Sequence, residues 1–400
     1  LVADGYRIVP LDQPADLGII NTCTVTNRAD ATSRRIIRAF TRRNPNAFTA
    51  VVGCYSESGA AAIASIPGVD LIIGNQDKLT VLDHVTEEKN PEPVVVRERI
   101  NRGDFSIRLI GDLPYDKRAN LKIQDGCDFM CGFCIIPFVR GRARSRELAN
   151  LLDEARSLAM RGVRELVLTG VNLGTYGSGS HDIVDLVDAL DQVPDIDRIR
   201  ISSIEPTTVP DEVLDRMGAP DHRLMPFLHL PLQSGVDSVL RAMRRRYTVA
   251  EYTEQVRLAH DRVPDLYLGT DIMVGHPSES EADFEQTCGC IAEQPIAFAH
   301  VCPYSERDGT PAARRIDQVP IQERSRRSAV LRNLAARKRL EFYRTHLGRT
   351  LPVLFEDPKP DCWPGYTANY VRVVLPRDPH SEDDLANRLI DIRLESVEAD

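Results

Sequence analysis

Apolar and polar positions follow one another in two rhythms: short unbroken apolar runs, and longer stretches of helical period between them. In the first part, "DLGIINTC" (16–23), "AFTAVVGC" (47–54) and "GVDLIIGN" (68–75) are runs of strand length. "RADATSRRIIRAFTRR" (28–43) and "SESGAAAIASI" (56–66) have helical spacing. Strands alternating with helices predict a parallel sheet. "YRIVP" (6–10) is strand-like too, and "TEEKNPEPVVVRERINRGDF" (86–105), polar and proline-bearing, reads as a connector.

The middle repeats strand then helix six times, on "NLKIQ" (120–124), "ELVLTG" (165–170), "RIRISS" (198–203), "PFLHLPL" (226–232), "YLGTDIMV" (267–274) and "FAHVCPYS" (298–305). "TVAE" (248–251) and "SESE" (278–281) have the form of capping boxes that start helices. Six units are too few to close an eight-stranded barrel, so the expectation is an open (β/α)6 partial barrel working at the carboxyl ends of its strands. From about Gly348 the rhythm shortens to β-like runs broken by Pro, Asp and Gly, as in a small antiparallel β-barrel. The fold class is therefore α/β: an N-terminal parallel-sheet α/β domain with its connector (1–115), a partial barrel (116–345) and a small C-terminal antiparallel barrel (346–400). Tyr366 and Tyr370 in the tail either stack on bases or pack the barrel.

Composition narrows the class. The 400 residues hold no apolar run long enough for a membrane span and open on no signal peptide. The nine cysteines are odd in number and clustered. That argues for a reducing cytoplasm and metal ligation rather than a disulfide framework. Leu1 stands where an initiator Met would, so the expectation is a chain without its natural beginning. The net charge of −9 opposes a polyanionic partner, but arginine is concentrated in "RRIIRAFTRR" (34–43), "RGRARSR" (140–146), "RAMRRR" (241–246) and "RSRRSAVLRNLAARKR" (324–339). Each stripe is either a solvated face or a phosphate-binding one.

The chemistry concentrates in "DGCDFMCGFC" (125–134), where Cys127, Cys131 and Cys134 form a C-x3-C-x2-C array just past the first barrel strand. Structural zinc commonly closes with four ligands. Three thiolates on an iron–sulfur cube leave one iron open. The competing readings are a zinc knuckle with a distant fourth ligand and unrelated buried cysteines. Cys23 and Cys54 end two apolar runs of the first part, where open parallel sheets bind ligands, though Cys at strand ends is often simply buried. Cys288 and Cys290 read as packing residues on a helix, and Cys362 as a tail-loop cysteine.

"GCDFMCGFC" resembles the radical S-adenosylmethionine (SAM) enzymes. The flanks "NTCTVTNRADATSRR" (21–35), "GCYSES" (53–58), "TGVNLGTYG" (169–177), "RISSIEP" (200–206), "HLPLQSG" (229–235), "TDIMVG" (270–275) and "GYTANYVRV" (365–373) resemble the methylthiotransferases, most of all their MtaB branch. The resemblance implies a methylthiotransferase N-terminal domain, a radical SAM barrel and an RNA-binding TRAM tail. It implies conversion of N6-threonylcarbamoyladenosine at position 37 of tRNA to its 2-methylthio form. It also implies two [4Fe-4S] clusters and SAM as cofactors, the tRNA anticodon stem-loop and an electron donor such as flavodoxin or ferredoxin as partners, and a monomer. Cys127, Cys131 and Cys134 match the SAM-cleaving cluster, and Cys23 and Cys54 match two of the three ligands of the auxiliary one. The third has no counterpart in residues 1–22. Thr169, Gly170, Ser203, Gln233, Arg245 and Asp271 are the SAM contacts it suggests. His276 and Ser278 stand where the family usually has Phe and Gly, and Cys302 where an aromatic is usual; His276 is expected to alter the charge near the pocket. Two rivals remain: a sister methylthiotransferase acting on isopentenyladenosine-37 or on a ribosomal-protein aspartate, and a non-catalytic, zinc-stabilised RNA-binding protein.

Overall fold

The computed structural model describes residues 1–107, 118–377 and 384–398. The expected boundary between 115 and 116 lies outside them. In the first unit, β1 (Leu17–Thr22), β2 (Phe48–Gly53) and β3 (Leu71–Ile73) alternate with α1 (Asn27–Arg43) and the short helices α2 (Cys54–Ser58) and α3 (Ala60–Ala64). The single helix expected over 56–66 is broken at Gly59, where a Cβ would meet the Tyr55 ring at 2.2 Å. All pairing in this sheet is parallel, in the order β1-β2-β3-β4.

The fourth strand, β4 (Val94–Val96), corrects the reading of 86–105 as connector: three valines in a polar, proline-bearing segment complete the sheet beside β3. The opposite correction falls on 6–10, which forms no strand. It pairs with no neighbour, and Tyr6 and Ile8 are exposed.

The middle unit runs β5 (Arg118–Lys122), α4 (Ile136–Val139), α5 (Leu148–Met160), β6 (Glu165–Thr169), α6 (Ile183–Asp191), β7 (Arg198–Ile201), α7 (Asp211–Gly218), β8 (Phe227–His229), α8 (Asp237–Ala242), α9 (Val249–Arg262), β9 (Tyr267–Val274), α10 (Glu281–Glu293), β10 (Phe298–Pro303) and α11 (Ile321–Arg344). The parallel triplets β7-β6-β5 and β8-β9-β10 are joined by bridges Ile199↔Leu224 and Ser203↔His229. The six strands thus form an open barrel, β5-β6-β7-β8-β9-β10. Leu121, Leu168, Ile201, Leu228 and Leu268 sit in one continuous core with the inner faces of the helices. The Thr248–Glu251 capping box starts α9. The other box is displaced: Ser280 caps α10 and Asp283 reciprocates. Glu279 is instead drawn inward, accepting the Gly275 amide and pairing with buried Arg327 at 2.6 Å.

The tail is an antiparallel sheet, β13 (Arg372–Pro376)–β12 (Cys362–Thr367)–β11 (Thr350–Phe355)–β14 (Leu389–Arg393), around Phe355 and Trp363. Cys362 therefore begins a strand rather than lying in a loop. The tail docks on the amino ends of the barrel strands. In-register Arg118, Glu165 and Arg198 open β5, β6 and β7. Glu165 holds Arg200 at 2.9 Å. Arg198 donates to the Tyr366 and Pro352 carbonyls at 2.8 Å each, and Arg200 to that of Ala368 at 3.1 Å. Tyr370 stacks on Tyr366 and tilts against Phe227, with the Arg200 guanidinium 4.7 Å from its centroid. Both tyrosines therefore face the barrel.

Candidate active site

The array is built at the opposite end, where β5 runs out. Gln124 is fully buried and clamps the turn. Its amide donates to the Gly126 carbonyl at 2.9 Å, and its oxygen accepts from the Val171 and Asn172 amides past β6. Gly126 has a φ of +73°, and a Cβ there would sit 2.0 Å from the Arg142 carbonyl oxygen. Only glycine lets the chain fold this close before Cys127. The Gly132 amide donates to the Met243 carbonyl, and the Ala312 amide to that of Gly132, fixing the loop centre to the barrel rim.

The three thiols face one another closely enough to interact electrostatically. Burial raises all three, Cys134 to about 12, so without a cation they are thiols rather than thiolates. A metal deprotonates such thiols on binding. Favourable charge already points at them: Arg245 donates to Cys131 Sγ at 3.3 Å, and the Phe129 amide to Cys127 Sγ at 3.4 Å. Among the described residues no three Cys, His, Asp or Glu side chains converge on a single metal ion. A cubane asks for something else, one thiolate on each of several irons. The all-sulfur donor set on one short loop fits that group.

Around the array lies an ionic cluster that sequence reasoning found only in part. Arg245, expected as a SAM contact, is pinned by Glu205 and by Tyr247 Oη at 2.9 Å. Burial raises the Glu205 carboxyl, against the pull of Arg245. Asp271 faces the same space. Burial would raise it too, but His229, 3.1 Å away, holds it below its ordinary value. Ser203 pairs with His229, and Gln233, at a φ of +73°, gives its amide to the Asp271 carbonyl. Thr169 and Gly170 lie apart from these side chains. The Thr169 carbonyl receives the Ile123 amide, and Gly170 makes room for Gln124 and Leu173. Ser203 and Asp271 line a cavity of about 1840 Å³ that continues past His229 and His300 through the barrel to Tyr370; the other expected contacts do not line it. Cys302 is exposed on β10.

His276 is not a charge near the pocket. It is fully buried, packed edge-on against Phe133 of the array loop and against Tyr304. Burial lowers it to about 4, so the ring is neutral at physiological pH.

Cys54 begins α2 after Gly53, whose φ is +98°. Buried against Ile135 and Val139, it accepts from Arg140 Nε at 3.2 Å and Asn75 Nδ2 at 3.5 Å. The segment that packs on Cys54 is the one that directly follows Cys134. Cys23 is exposed. Just past Cys23, Thr24 Oγ1 meets Ser58 Oγ of α2 at 2.8 Å and donates to Asp30. Arg307, from the loop after β10, reaches across to Asp30 at 2.9 Å, Thr24 at 2.6 Å and Asn27 at 2.8 Å. This buried node fastens both cysteine loops of the first unit to the barrel. Gln124 and Glu205 stood inside recognised motifs without being singled out; Arg307 stood just past one.

The radical SAM superfamily matches this chain over residues 121–291, and uncharacterized protein family UPF0004 over residues 1–74. The threonylcarbamoyladenosine tRNA methylthiotransferase MtaB of Bacillus subtilis is 36% identical over 408 residues, 98% of this chain and 88% of that protein. Its namesake from Aquifex aeolicus is 35% identical over 361 residues, 88% and 87% of the two chains. The tRNA-2-methylthio-N(6)-dimethylallyladenosine synthase of Anaplasma phagocytophilum is 30% identical over 408 residues, 98% and 90%. Among solved structures, the radical S-adenosylmethionine methyltransferase TsrM from Kitasatospora setae superposes with a TM-score of 0.57 at 16% identity, over 76% of this chain and 66% of that one, a likeness of fold alone.

Proposed function

We infer the work of each part from one premise: this chain belongs to the MtaB-type radical SAM methylthiotransferases. It is an enzyme that converts N6-threonylcarbamoyladenosine in tRNA to its 2-methylthio derivative, and it uses SAM and a [4Fe-4S] cluster. In our reading Cys127, Cys131 and Cys134 hold that cluster, which when bound supplies the electron that cleaves the SAM sulfonium. Arg245 lends positive charge to Cys131, and Glu205 keeps Arg245 in place. Ser203, Gln233 and Asp271, with Thr169 and Gly170 behind them, shape the bed for SAM. Gln124 sets the loop's height above the strands. Residues 1–115, 116–345 and 346–400 are the methylthiotransferase, radical SAM and TRAM units.

The finer assignment is a second, auxiliary cluster at Cys23 and Cys54, the source of the transferred sulfur. The observation that carries it is the packing of Cys54 on the residues directly after Cys134, with Arg140 facing its thiol. A SAM-cleaving site and a sulfur-donating site that must act on one nucleoside have to be neighbours, and here six residues span them. The enzyme works as a monomer with a small electron donor such as flavodoxin or ferredoxin, in the cytoplasm, where its nine free cysteines stay reduced. No helix among the described residues is long and apolar enough to cross a membrane.

Nucleoside mass spectrometry of tRNA, from cells with and without the gene, tests the function. The 2-methylthio derivative of threonylcarbamoyladenosine should appear only with the gene. Methylthiolated isopentenyladenosine in its place would refute the substrate, and no change in either would refute the function.

A further inference from the structure

Arginine is dense in four stripes, but the fold consumes most of that charge. In 140–146, Arg140 faces Cys54 and Asp125, Arg142 pairs with Asp128, Arg144 with Asp125 and Arg146 with buried Glu154. At the start of α11, Arg324, Arg326 and Arg327 are held by Glu306, Glu323, Glu281 and Glu279. In 241–246, Arg245 is taken by Glu205 and Arg246 donates to the Asp128 carbonyl, while Arg241 and Arg244 stay exposed. The α1 stripe carries the longer unpaired row. Arg28, Arg35, Arg38 and Arg42 are all exposed, and none has a carboxylate partner among the described residues. Arg42 donates only to the Arg38 carbonyl. The one acid of the helix, Asp30, is buried and taken by Arg307.

The spacing 28, 35, 38, 42 puts these side chains on one face, with 28, 35 and 42 two turns, roughly 10 Å, apart and 38 between the last two. The opposite face buries Ile37 and Phe40 in the first unit's core. Four uncompensated guanidiniums in line are costly to a free protein through mutual repulsion and are relieved by a polyanion. The helix also starts in the right place. Its N-cap, Thr26, is three residues past Cys23, and the Asn27 amide donates to Ser305 Oγ of the barrel at 3.0 Å. The tail, by contrast, docks at the amino ends of the strands, with its tyrosines turned inward.

We propose that the exposed arginine face of α1 is the principal electrostatic grip on the RNA substrate, holding the phosphate backbone of the stem while its loop enters the barrel mouth. This rests on the reading above that the substrate is a tRNA.

The test is binding of an anticodon stem-loop RNA to the full chain, measured against salt, for the wild type and for the variant Arg28→Gln/Arg35→Gln/Arg38→Gln/Arg42→Gln. Each phosphate contact contributes roughly 0.7–0.9 to the slope of log K against log salt, so the variant should lose about 3 from it. Iron content and SAM cleavage without RNA should not change, since these surface positions touch neither thiol loop. A second variant, Arg372→Gln/Arg393→Gln in the tail, should lose less slope than the α1 variant. A wild-type slope retained in the α1 variant overturns the assignment, as does a larger loss in the tail variant. A wild type with no salt-dependent RNA binding would instead overturn the RNA substrate itself.

Discussion

Replacing Arg307 by Met keeps the stem of the side chain and removes the guanidinium from the node between the first unit and the barrel. Three bonds disappear: 2.9 Å to Asp30, 2.6 Å to Thr24 and 2.8 Å to Asn27. The larger consequence is what remains. Asp30 keeps its bond from Thr24, but its charge is left with almost no exposure and no counter-ion. Orphaning one member of a buried pair costs about 3–5 kcal/mol. Asp30→Asn added to Arg307→Met removes the orphan charge and should recover roughly half of that. The global unfolding of a three-unit chain is not two-state, so the quantity belongs to local opening. Amide hydrogen exchange over residues 24–30 and 54–58 should speed by on the order of 100- to 1000-fold in Arg307→Met and return part of the way in the double variant. Exchange over β6 and β7 should stay as it was. In the reaction, 5′-deoxyadenosine should still form while methylthiolated product falls, because the SAM bed is untouched and the partner loops are displaced. Unchanged exchange in the single variant, or no recovery in the double, would refute the node as a structural clamp. Equal loss of cleavage and product would show that it serves the SAM site instead.

Three further outcomes are expected. Cys131→Ala should abolish dithionite-dependent release of 5′-deoxyadenosine; substantial remaining cleavage would remove the array from the SAM site. Gly126→Ala forces a Cβ to 2.0 Å from a carbonyl oxygen, and Gly53→Ala to 2.4 Å from Asn21 Oδ1. The first should cost SAM cleavage, and the second should spare cleavage while lowering iron content and product. His276→Phe should stabilise the protein by about 1–3 kcal/mol at neutral pH by replacing a buried ring without hydrogen-bond partners. It should also flatten the acid limb. With the folded value near 4 and the unfolded one at 6.5, the unfolded chain binds the extra proton in between. Stability from this group is therefore full above about 6.5 and falls towards pH 4, a dependence the Phe variant should lack in pH-resolved denaturation.

Local patterns read well where the signal was local. β9 occupies the very residues 267–274 read as a strand, because a run in which all but Gly269 and Asp271 are apolar or β-favouring needs no partner to be recognised. The C-x3-C-x2-C spacing of Cys127, Cys131 and Cys134 was legible because it is written in nearby residues of one loop. What stayed hidden was made by tertiary pairing. Val94–Val96 became a strand by pairing with β3, whereas 6–10 pairs with no strand although β1 is an edge of the same sheet. The "SESE" box lost its place because α10 starts two residues later, with Ser280 as cap and Asp283 reciprocating, while Glu281 turns to Arg326 and Arg327 more than 40 residues on. Arg307 gave no signal, since its partners lie more than 270 residues earlier in the chain. Arginine density showed where charge was abundant. It did not show which charge was spent, and α1 kept the longest unpaired row among the described residues.

The dock between tail and barrel is made in good part of main-chain oxygens. Arg198 and Arg200 grip the carbonyls of Tyr366, Pro352 and Ala368, and every residue type carries a carbonyl. Drift in the tail's own side chains can therefore leave these clasps intact, provided the strands keep their path. The same attachment suits a lineage whose members change what they recognise. The floor of the barrel carries the side-chain half of this clasp, while the tail answers with its backbone.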